Sequence, residues 1–158
     1  TYDRANAVIN QLKDTALHAS ESIRNSNRRK PKIVHERCIC IKPQIYANPL
    51  KSIMIGGHLA PEMIEMAGGI SGLSLPGEPC RWIDSNLVVD YQPDIIIDNR
   101  CTACPIRKDD KIEDREGWNE IPAVKNKRVF RFNTNIANPN LCFNAGLEEI
   151  VSIVLDNE

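Results

Sequence analysis

IMIGGHLAPEMIEMAGG, residues 53–69, is a short apolar run that breaks at paired glycines, passes one histidine and restarts with helical spacing. Gly56 and Gly57 permit backbone conformations that a β-carbon penalises, and Pro61 suits a first helical turn, where its missing N–H costs little. Met63, Ile64 and Ala67 then form one apolar face, and Gly68-Gly69 stops the helix. Two readings fit. The helix start can gather unsatisfied N–H groups near His58 and hold an anion or a polar ligand edge. Alternatively, the stretch is a tight turn before a packing helix, a common device in α/β domains.

Working outward, the spacing predicts a long amphipathic helix over residues 3–26, with Val8, Leu12, Ala16, Ala19 and Ile23 three or four apart. Pro31 closes the polar linker that follows, and a strand is expected from Lys32 to Ile41. Its apolar stretches do not alternate cleanly, which predicts a place inside a parallel sheet covered on both faces. Pro43 to Ser52 reads as a loop, and so does the glycine- and proline-rich segment 68–81. Trp82-Ile83 is a short extended piece, with a brief helix to about Val89 capped by Asp84 or Ser85. Ile95-Ile96-Ile97 is the clearest strand signal, again apolar on both sides. Asp98, Asn99, Arg100 and the Cys101 to Pro105 loop follow it, where open α/β sheets carry their binding loops. A charged stretch spans 108–116, a strand 128–132, an amide-rich loop 133–140, and a closing helix 141–155 with Leu147, Ile150, Val151 and Val154 inward.

The chain has 158 residues, the size of one domain. A formal net charge of −1, with 42% hydrophobic and 26% charged residues, implies no broad field for nucleic acid or membrane. No apolar run approaches the roughly 20 residues that span a bilayer. The first residue is Thr rather than Met, so excision from something longer is expected. No charge-paired catalytic set is visible, and a non-enzymatic role is expected.

Three stretches in order, GGHLAPEMIEMAGG at 56–69, YQPDIII at 91–97 and EGWNEIPAVKNKRVFRF at 116–132, followed by NPNL at 138–141 and a final helix, carry a family resemblance. The chain resembles the periplasmic solute-binding protein superfamily of cobalamin, iron-siderophore and haem ABC importers, and is most similar to cobalamin-binding members. The resemblance implies a three-layer, Rossmann-like α/β lobe with a mostly parallel central sheet and a long N-terminal backbone helix. Residues 1–27 would be the inter-lobe helix and 32–158 the C-terminal lobe, with the N-terminal lobe absent. It further implies an extracytoplasmic protein that binds a corrinoid or iron chelate in an inter-lobe cleft, requires no cofactor and partners an ABC importer permease. Nucleic acid is not an expected partner, and the membrane is met only through that permease or a missing lipid anchor. The loops containing His58, Trp82, Arg100 and Asn135 would face the cleft, with Trp82 stacking on a flat chelate and Arg100 pairing with a propionate, phosphate or carboxylate. Core packing of Trp82, a salt bridge at Arg100 and a loop hydrogen bond at His58 are the competing readings.

Six cysteines are not explained by that resemblance. If strands 32–41 and 95–97 end near one edge, Cys38 and Cys40 approach Cys101 and Cys104, and four thiolates can hold zinc or an iron–sulfur cluster. A metal or redox domain on the same scaffold is therefore the alternative function. The CxC spacing is unusual for a tetrahedral site, and disulfides or buried thiols account for the same residues.

Overall fold

Apolar residues recurring every three or four positions fold the N-terminal segment into α1 (Tyr2–Asn25). In the computed structural model, residues 2–25, 29–37, 52–57, 59–100, 111–132 and 143–156 are described. After α1 come β1 (Ile33–Arg37), β2 (Ser52–Ile55), α2 (Ala60–Met66), β3 (Arg81–Asp84), α3 (Asn86–Tyr91) and β4 (Ile95–Asn99). Two 3-10 turns, Ile112–Asp114 and Trp118–Glu120, then precede α4 (Pro122–Lys125), β5 (Val129–Arg131) and α5 (Phe143–Leu155).

The strands form one sheet in the order β3-β2-β1-β4-β5. β1 pairs in parallel with β4, and β4 with β5, whereas β2 is antiparallel to both β1 and β3. Among the described strands β2 alone runs against the rest, so the sheet is mostly parallel in direction. The expected setting of β1 needs correction on one side, because its β2 neighbour is antiparallel. A parallel neighbour needs a crossover of a dozen or more residues, usually helical. The proline-interrupted segment before Ser52 offers no helical pattern, and the apolar run Ser52–Ile55 returns beside β1 instead.

Side chains alternate along each strand and give the sheet two buried faces. On one, Ile33, Ile95 and Ile97 pack against Met63 and Ile64 of α2 and Leu147, Ile150 and Val154 of α5. On the other, Val34, Ile53, Ile55 and Ile96 pack against Val88, Ile112, Trp118 and Ile121. Each fully buried isoleucine contributes about 1.5–3 kcal/mol, so these two layers hold the lobe together. Helices or turns cover both faces, which is the three-layer arrangement. α4 was not anticipated; Ile121-Pro122 starts it, and the Ala123 amide donates to the Pro93 carbonyl at 3.0 Å, fixing it to the entry of β4.

The glycine turn is filled from within the chain. Gly56 and Gly57 have φ values of 77° and 128°, and a β-carbon on Gly57 would lie 2.2 Å from Nη1 of Arg37. α2 has 7 residues, and the packing reading of the turn accounts for both glycines.

Candidate functional site

The chain leaves β1 toward β2 on one side, while β4 lies on the other, so the boundary of β1 and β4 is a topological switch point. In open α/β sheets, ligands bind outside the carboxyl ends of the strands at such a point. Here those ends are Arg37 and Asn99, which are register partners. The row through them continues on β2 and β3 as Met54 and Trp82. Cross-strand partners share a face, so Trp82, Met54, Arg37 and Asn99 stand in one line on the α2–α5 side. One residue back, Ile55, Glu36, Asp98 and Arg131 form a row on the opposite side.

That second row carries a buried ion cluster. Glu36 is 0% exposed and accepts two hydrogen bonds from Arg115, at 2.7 Å from Nη1 and 2.9 Å from Nη2. Asp98 accepts from Nε of Arg100 at 2.6 Å, from its Nη2 at 2.8 Å and from its backbone amide at 3.1 Å. Arg100 Nε also lies 3.9 Å from Glu36, and the Arg115 guanidinium stacks 4.5 Å over the buried Trp118 ring. Burial pulls the Arg100 pKa down, but the Asp98 hydrogen bonds and the Glu36 charge outweigh it and leave it raised. Two acids and two guanidiniums are thereby arranged as bidentate pairs, the strong form of the charge-assisted hydrogen bond.

The face of the first row carries a neutral pair. His35 and Asn99 are both buried, with Asn99 Nδ2 3.1 Å from His35 Nε2. Among the described residues, Nδ1 of His35 and Oδ1 of Asn99 have no hydrogen-bond partner. Desolvation, helped by the charge of Arg37, lowers the His35 pKa to about 3, while the Gly56 backbone and Asp98 pull the other way. The ring is therefore uncharged at neutral pH.

Of the sequence-predicted site residues, Trp82 is 40% exposed on the edge strand β3, in the same row as Asn99. Arg100 is buried and ion-paired with Asp98, so its salt bridge is internal. His58 and Asn135 lie outside the described residues, as do Cys38, Cys40, Cys101 and Cys104. The turn that leads to His58 begins level with His35, since the Gly56 amide donates to the His35 carbonyl at 3.2 Å. β2 thus carries the chain back from the strand ends where Arg100 stands. Sequence reasoning placed Asp98 and Asn99 beside the binding loops but gave them no role, and it did not single out His35, Glu36 or Arg115. A signal existed, because IVHER and IIIDN each place polar residues directly behind an apolar strand run, where burial forces them to find partners.

No protein-family model and no curated protein sequence matches the chain. Solved structures do match. An ABC transporter substrate-binding protein from Listeria monocytogenes EGD-e superposes with a TM-score of 0.68 at 18% identity, covering 98% of this chain and 58% of that one. A possible iron-binding, periplasmic solute-binding protein from Staphylococcus epidermidis ATCC 12228 gives 0.59 at 21% identity, over 92% of this chain and 54% of that one. The periplasmic heme-binding protein RhuT from Roseiflexus sp. RS-1 gives 0.66 at 15% identity, over 98% and 56%. The chain spans about half the length of these structures. The chain shares the fold of these solute-binding proteins and of a TroA-like periplasmic binding protein from Veillonella parvula.

Proposed function

We propose that this chain is one lobe of the substrate-binding component of an ABC importer, working outside the cytoplasm on a flat metal chelate of the haem, iron-chelate or corrinoid class. The observation that carries this reading is Trp82. A large aromatic side chain is left 40% exposed in the row that ends at the β1–β4 switch point, where stacking on a planar ligand would use it. Two of the similar structures are described as heme-binding or possible iron-binding proteins, which supports the ligand class.

α1 supports a second lobe. Tyr2, Val8 and Ile9 are 83%, 45% and 46% exposed, although Ala16, on the same apolar stripe further along, packs on the core. A preceding lobe would cover that stripe, making α1 the inter-lobe helix and residues 32–158 the C-terminal lobe. Ligand would then sit between the lobes, and closure around it would signal occupancy to the permease. With Trp82, the loops of His58, Arg100 and Asn135 complete the proposed rim.

Titration of the full-length, two-lobed protein with haemin, a ferric siderophore and cyanocobalamin, followed by absorbance and tryptophan emission, tests the reading. At least one should bind saturably, and Trp82→Ala should weaken it by about tenfold, the value of one aromatic contact. Failure of all three to bind would remove the function.

A further inference from the structure

We propose that Glu36 is a positioning residue whose bidentate pairing with Arg115 clamps the two 3-10 turns, Ile112–Asp114 and Trp118–Glu120, against the end of β1. Glu36 is the last buried side chain of β1 on its face, and Arg115 lies between the two turns, 79 positions away in sequence. Both carboxylate oxygens are engaged by this one guanidinium. A fork-to-fork pair fixes orientation as well as distance, which an apolar contact does not. The Arg115 carbonyl in turn accepts from the Trp118 amide at 3.1 Å, and its guanidinium lies over the Trp118 ring. One carboxylate therefore sets the place of Arg115, the start of the second turn and the largest buried aromatic side chain on that face.

Glu36 also stands 3.9 Å from Arg100, the residue that leaves β4. Arg100 and Arg115 thus meet at the same buried carboxylate. The clamp does not depend on what the chain binds, so its failure and that of the proposed function are separable.

The experiment uses amide hydrogen exchange and the emission of Trp118, read alone in a Trp82→Phe background, since the chain has 2 tryptophans. Glu36→Gln should shift Trp118 emission to the red. Exchange at Arg115 and Trp118 should accelerate about tenfold, with the amides of Leu147 to Val154 within about twofold of the parent, as expected for local opening. If Glu36→Gln does not fold, the charge-free pair Glu36→Met with Arg115→Met replaces it and should give the same local acceleration with α5 protected. Unchanged Trp118 emission and exchange in the folded variant, or acceleration as large in α5 as around Trp118, would overturn the clamp.

Discussion

The two faces of the sheet, at the carboxyl ends of the same two strands, solve the burial of polar groups in opposite ways. His35 and Glu36 are neighbours in sequence, as are Asp98 and Asn99, yet alternation sends one of each pair to either side. On one side, Glu36 and Asp98 keep their charges and are matched by Arg115 and Arg100. On the other, His35 gives up its charge and meets Asn99, with one nitrogen and one oxygen left without partners among the described residues. Compensated charge holds geometry rigidly, and it fails abruptly if one member is lost. A neutralised ring costs less to bury, and it fails gradually as protons become available.

The largest effect expected from this contrast is at Arg115. Arg115→Met removes the guanidinium that engages both oxygens of the buried Glu36, and the cost should be about 3–5 kcal/mol in chemical denaturation. A cost below about 1 kcal/mol, the value of an exposed pair, would break the contrast.

The His35 face predicts a pH dependence instead. The folded pKa, about 3, lies below the ordinary value of 6.5. Between those values the unfolded chain binds a proton that the folded chain does not, so His35 makes stability fall as pH drops from 6.5 toward 3. Its contribution is fully present above that window. The slope is about 1.4 kcal/mol per pH unit. Denaturation series at pH 7 and 5 should show this decline, and His35→Gln, which has no proton to gain, should flatten it. An equal acid decline in the variant would place its origin elsewhere.

Gly57 sharpens the same face. Its β-carbon space is filled by Arg37, and its φ is 128°. Gly57→Ala should cost about 1–3 kcal/mol through backbone strain and by displacing the guanidinium. Full stability in thermal melts would mean that the turn relaxes freely. The smallest effect lies away from both faces, at Lys127, an exposed residue with φ of 55°. Lys127→Gly should stabilise by roughly 0.5–1 kcal/mol, because glycine tolerates that conformation without steric cost.

Much of the frame was legible in the residues. The apolar run Ile95–Ile97, the period of α1, the Gly-Gly stop after α2 and the inward positions of α5 all rest on local patterns, and the structure has each. The reversal of β2 was not legible, since Ser52–Ile55 has the same apolar character in either direction and only pairing decides it. Nor was the ion cluster, because Glu36 and Arg115 are brought together by the fold across 79 positions. Arg100 shows the limit most clearly. A basic residue just beyond a central strand can meet ligand or the strand's own carboxylates, and Asp98, two residues earlier, engages it through both oxygens. Trp82 was legible as a position, and its exposure came from its place on the edge strand.

The central claim is that a planar metal chelate docks on the row that ends at Trp82. The most direct measurement is saturation binding of haemin, a ferric siderophore and cyanocobalamin to the full-length, two-lobed protein, reading tryptophan emission in the parent and in Trp82→Phe side by side. The difference isolates Trp82, because Trp118 is buried on the opposite face. A saturable quench in the parent whose Trp82 component is missing in the variant is the predicted result. A chelate that binds with identical quenching in both proteins, or the absence of binding by all three, would contradict it.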